Sequence, residues 1–88
     1  MDLAPQEAVV IRNATTVTIP AEEVAKGDTV IIRSGGKIPV DGKIISGQAS
    51  INESTVTGEP VPKFKQTDSQ VFSGTIIDDG YIEMIAEN

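Results

Sequence analysis

The chain has 88 residues, 13 acidic against 7 basic, a formal net charge of −6, and neither histidine nor cysteine. That charge balance argues against nucleic acid as a partner, since like charge repels a phosphate backbone. The missing side chains exclude a disulfide framework, a thiolate nucleophile, a zinc site of the usual kind and a Ser-His-Asp triad, which leaves the chemistry to carboxylates, hydroxyls and backbone.

In chain order, Glu7 to Arg12 is a first apolar stretch ended by Asn13-Ala14. Val17 and Ile19 then alternate with Thr16 and Thr18, the period-2 pattern of a half-buried strand. Pro20 stops it. Residues 21–26 suit one helical turn, with acidic residues early and Lys26 late. Gly27-Asp28 turns the chain into a strand from Thr29 to Arg33, with Asp28 expected as an Asx-type turn residue. Ser34-Gly35-Gly36 is a turn. Residues 37–46 are apolar but broken by Pro39 and Asp41-Gly42, which predicts a bent or edge strand. Residues 49–52 form a short strand, residues 53–65 a polar loop, and residues 70–77 another strand. Asp79-Gly80 is a hairpin signal, and the closing strand, 81–86, places Ile82, Met84 and Ala86 on one face. Val and Ile supply 21 residues against a single Leu, and Thr adds eight. Such β-branched side chains favour pleated sheet over helix. The expectation is one small all-β domain with at most one short helical turn. No apolar run is long enough to span a bilayer.

The loop Asn52-Glu53-Ser54-Thr55-Val56-Thr57-Gly58-Glu59-Pro60-Val61-Pro62 concentrates the reactive groups. Gly58 permits a sharp turn, and Pro60 and Pro62 stiffen the exit. Glu59 is then expected at a rigid tip beside the Thr57 hydroxyl. A carboxylate so placed can orient and deprotonate a water when a partner surface brings the electrophile. Lys63 and Lys65 are expected to face solvent next to the loop, where they would help to meet a phosphorylated partner.

Thr57-Gly58-Glu59 with Pro60-Val61-Pro62 resembles the signature loop of the actuator domain of P-type ATPases. Gly27-Asp28, Pro39-Val40-Asp41-Gly42, Asn52-Glu53-Ser54, Val71-Phe72-Ser73-Gly74-Thr75 and Gly80 are similar to that family's other elements, in the same order. The resemblance runs from about Leu3 to Asn88 and looks closest to the heavy-metal-transporting class. The sequence departs from the family pattern at Asn52, where Asp is usual, and at Lys63-Phe64-Lys65.

The resemblance implies a distorted double-stranded β-helix, or jelly roll, and a single actuator domain, 1–88, that is part of a larger membrane pump. It implies catalytic roles for Glu59, which would direct water at an aspartyl phosphate on a separate phosphorylation domain, and for Thr57 and Gly58, which would contact the phosphoryl group. Asn52, Glu53, Ser54 and Pro60 would support the loop. The pump would use ATP and Mg²⁺, whereas the domain itself would hold no cofactor or metal. Its partners would be the phosphorylation domain and the membrane helices of the same chain, on the cytoplasmic side of the membrane. The isolated domain would be monomeric, soluble and inactive. Two other readings are a biotinyl- or lipoyl-type carrier module, which needs a Lys at a hairpin tip, and a non-catalytic β interaction domain.

Overall fold

The two-residue link Asn13-Ala14 has positive φ at both positions, 53° and 62°, which matches the right-handed twist of the strands that it joins. Those strands, β1 (Glu7–Arg12) and β2 (Thr15–Pro20), open the computed structural model, which describes residues 7–87. A 3₁₀ turn at Ala21–Glu23 leads to β3 (Thr29–Arg33). Then come β4 (Gly42–Asn52), one α-helical turn α1 (Ser54–Thr57), β5 (Lys63–Gln66), β6 (Gln70–Val71) and β7 (Ile76–Ala86).

Among the described residues every strand pairing is antiparallel, in the order β2-β1-β3-β7-β4-β5, with β6 also hydrogen-bonded to β4. The domain is all-β and jelly-roll-like, and its inner surface is the core. Val10, Val30, Ile38, Ile44, Ile51, Val71, Ile77, Ile82 and Met84 are fully buried. Ile82, Met84 and Ala86 share the buried face, as their alternation predicts.

The two long strands reach that core along their whole length by changing phase. In β4 the buried residues include Ile44, then Ala49 and Ile51; in β7 they are Ile77, then Ile82, Met84 and Ala86. A switch between even and odd positions is impossible in a regular strand, where parity sets the face. A bulge supplies the extra residue. Ile44 pairs Met84 while Ser46 pairs Glu83, and Ser50 pairs Asp79 while Ile51 pairs Ile77. Ile45 and Asp78 are the inserted residues, and each bulge bends and twists its strand.

Several expectations change here. Asp79-Gly80 is not a hairpin: β7 runs straight through it. Gly80 is required because a Cβ there would lie 2.6 Å from Ala49 Cα, and its φ is +126°. The Ser34 hydroxyl accepts from Gly80 N–H at 2.9 Å and donates to its carbonyl at 3.1 Å. The expected bent or edge strand, 37–46, is divided, and its bend falls at the Ile45 bulge. Lys37 makes one isolated bridge to Ile76, and β4 begins at Gly42 as an interior strand continuous with 49–52. The predicted strand 70–77 breaks at 72–75 into β6 and the start of β7. The turn after Pro20 is three residues rather than six, and Pro20 still belongs to β2. Helical turns number two among the described residues, because α1 forms inside the polar loop. The segment expected as loop also contains most of β5.

Candidate functional site

The loop is built from its first residue upward. The Asn52 side-chain carbonyl accepts the Ser54 N–H at 2.9 Å, an Asx-type link that starts the turn. An amide makes this bond as a carboxylate would, so the departure at Asn52 removes a charge and keeps the geometry. The Glu53 carbonyl then accepts from Val56 N–H at 2.8 Å, Thr57 N–H at 2.9 Å and the Thr57 hydroxyl at 3.2 Å. Gly58 ends the turn in the left-handed region, φ 78°, with its N–H donating to the Ser54 carbonyl at 2.9 Å. This is the usual use of glycine just past a helical turn.

The Thr57 hydroxyl also accepts from the Glu59 N–H at 3.2 Å. Thr57 and Gly58 therefore hold the loop's shape through their own polar groups. The Glu59 side chain is exposed, and none of the described residues holds its carboxylate by hydrogen bond or ion pair. Pro60, Val61 and Pro62 are exposed after it. The Thr55 hydroxyl donates to the Gly74 carbonyl at 3.1 Å, tying α1 to the segment ahead of β7. The tip is a free carboxylate on a stapled base.

Glu53 and Lys65 differ from what their composition suggests. Glu53 is only 3% exposed, and Lys65 points inward with its side chain 15% exposed. Its ammonium lies 2.8 Å from Glu53 Oε2, close but not aligned as a hydrogen bond. The aligned donation goes to the Gln70 carbonyl at 2.7 Å. Lys65 is thus committed inside the domain, and of the two lysines only Lys63 remains on the surface. The one signal in the sequence is a carboxylate and an ammonium flanking the loop, a spacing that many solvated surfaces share.

Asp28 takes the turn role expected of it, accepting the Ala25 N–H at 2.9 Å and the Arg12 guanidinium at 2.7 Å. The Asp41 carboxylate accepts the Ser73 N–H at 2.8 Å. Among the described residues no cluster of three or more acidic side chains could hold a metal, and no helix is long and apolar enough to cross a membrane. A cavity of about 310 Å³, lined by Val9, Thr16, Ile31 and Arg33, lies on the outer face of the β1–β3 region, away from the loop. Another, about 210 Å³, is lined by Lys37, Ile38, Pro39, Ser73, Gly74 and Ala21 and adjoins α1 through Gly74. Neither is lined by Glu59. A carrier module would present a lysine at a hairpin tip, and residues 78–80 instead lie within β7.

Comparison with known proteins agrees with this geometry. A family profile described as the P-type ATPase actuator domain matches residues 2–88. A probable cadmium-transporting ATPase of Staphylococcus aureus (strain MRSA252) is 43% identical over 96% of this chain and 12% of its own length. A probable copper-exporting P-type ATPase of Archaeoglobus fulgidus is 45% identical over 96% of this chain and 10% of its own. Among solved structures, a zinc-transporting PIB-type ATPase superposes with a TM-score of 0.89 at 31% identity. That match covers 100% of this chain and 14% of the zinc-transporting one. The chain thus spans only 10–14% of the length of these relatives.

Proposed function

Because the chain belongs to the P-type ATPase actuator domain family, we propose that it is the actuator of a heavy-metal cation pump. Its residues 1–88 act as one domain within a longer membrane protein that hydrolyses ATP with Mg²⁺ on the cytoplasmic side. The relatives that support the heavy-metal class are described as cadmium-transporting and copper-exporting ATPases and a zinc-transporting PIB-type ATPase. The domain's partners are the phosphorylation domain and membrane helices of the same chain.

The observation that carries this reading is the unengaged Glu59 carboxylate at the tip of a loop that is held by its own hydrogen bonds. When the phosphorylation domain presents its aspartyl phosphate, Glu59 orients a water and takes its proton. The water oxygen bonds to phosphorus, the bond from phosphorus to the aspartyl oxygen breaks, and the aspartate leaves as carboxylate. A covalent intermediate divides one hard step into two, and the second depends on a placed water. Gly58 and Thr57 meet the phosphoryl group, Thr57 by releasing its hydroxyl hydrogen from the Glu53 carbonyl. Asn52, Glu53, Ser54 and Pro60 keep the tip rigid. Movement of the loop onto and off the phosphate couples hydrolysis to the membrane helices, where the transported ion is bound.

Glu59→Gln keeps the shape and removes the base. In the full-length pump, decay of the phosphoenzyme is expected to slow by roughly 10²–10⁴-fold, while phosphorylation from ATP proceeds. Decay at the parental rate would refute the assignment.

A further inference from the structure

Glu53 and Lys65 sit on opposite sides of the loop, separated by eleven residues, and meet at its base. Glu53 stands between the end of β4 and α1, and its carbonyl accepts three of the hydrogen bonds that form the helical turn. Lys65 lies on β5, past the loop's exit. Its ammonium is 2.8 Å from the Glu53 carboxylate, 2.7 Å from the Gln70 carbonyl and 5.1 Å from the centre of the Phe72 ring. One cation therefore joins the loop's base to the segment between β5 and β7.

Burying an ion pair is a weak route to stability, because desolvation offsets the attraction and an apolar pair of equal volume serves as well. Here Glu53 is buried and Lys65 is partly so, and Lys65 is the one ion-pair partner of that carboxylate among the described residues, which favours a single geometry. The carboxylate belongs to the residue whose carbonyl also accepts the Thr57 N–H at 2.9 Å, and the Thr57 hydroxyl oxygen in turn accepts the Glu59 N–H at 3.2 Å. A shift of Glu53 is passed along this chain to the tip.

We propose that the Glu53–Lys65 ion pair is a clamp across the base of the loop, and that both side chains are positioning residues for Glu59. The proposal rests on the reading that Glu59 directs the hydrolytic water, and it adds the element that sets where Glu59 stands. A displacement of the tip by about one ångström is enough to cost up to about 10²-fold in rate.

The test uses the full-length pump with Lys65→Met, Glu53→Gln, Glu59→Gln and the double variant Lys65→Met/Glu59→Gln. Each is phosphorylated from ATP, and the decay of the phosphoenzyme is followed after a chase. The clamp predicts normal phosphorylation, decay about tenfold slower for Lys65→Met and Glu53→Gln, and a double variant no slower than Glu59→Gln alone. General loosening of the domain would instead add a further slowing in the double variant, which overturns the clamp. Parental decay in both single clamp variants, with Glu59→Gln slow, overturns the clamp and leaves the loop's role intact. Parental decay in Glu59→Gln overturns both. If Lys65→Met alone fails to phosphorylate, the isosteric Glu53→Gln decides; failure of both assigns the pair to folding and overturns the positioning role.

Discussion

The Asp28 carboxylate receives a guanidinium and a backbone N–H at once. The hydrogen bond from Arg12, and after it the bond from Ala25, hold its pKa below the ordinary carboxylate value. A carboxyl depressed in the folded state stabilises the fold above its unfolded pKa, and that contribution is lost as pH falls through the folded value. Asp28→Asn is therefore expected to lower stability near neutrality and to flatten the acid limb. Urea midpoints of both proteins measured between about pH 6 and pH 3 should converge on acidification; parallel curves would show that the pair carries no proton linkage. The turn role of Asp28 was legible because Gly-Asp ahead of a strand has local chemistry. The inward turn of Lys65 was not, since its partners Glu53 and Gln70 are brought to it by β4 and β6.

Among the elements, β3 lies where a strand is predicted, Thr29–Arg33, and β1 coincides with the apolar stretch Glu7–Arg12. Both are regular, so their buried residues, Ala8 and Val10, Val30 and Ile32, keep one parity along the strand. β4 and β7 defeat a local reading because each carries a bulge, and the turn-like residues within them serve close packing between the two strands. Gly80→Ala tests this directly. Its Cβ would meet Ala49 Cα at 2.6 Å and the Gln48 carbonyl at 2.6 Å, at a backbone angle unfavourable for alanine. Destabilisation of about 1–3 kcal/mol is expected from overpacking and strain, read by chemical denaturation with an unchanged slope. A cost under about 0.5 kcal/mol would contradict the close approach of β7 to β4 at Gly80.

In the molecule as a whole the rigid and presented parts separate. β7 lies between β3 and β4, and fully buried side chains line both long strands. The loop after β4 holds one helical turn and an exposed tip. Amide exchange is governed by such differences in local opening. The amides of Ile44, Ile51, Ile82 and Met84 should exchange slowest, near the global unfolding limit, and those of Glu59 and Val61 fastest. Protection at Glu59 equal to that of β7 would contradict an exposed tip on a stable sheet. The separation suits the role proposed for Glu59.

The all-β class, the regular strands and the chemical content of the loop are written in local residue order. β-branched composition, period-2 alternation and Gly-Pro stiffening act within a few residues and need no distant partner. The phase changes at Ile45 and Asp78, the passage of β7 through Asp79-Gly80 and the burial of Glu53 against Lys65 came only with the assembled sheet. Each depends on which strand lies alongside, and a backbone approach or a buried charge is fixed by neighbours far away in the chain.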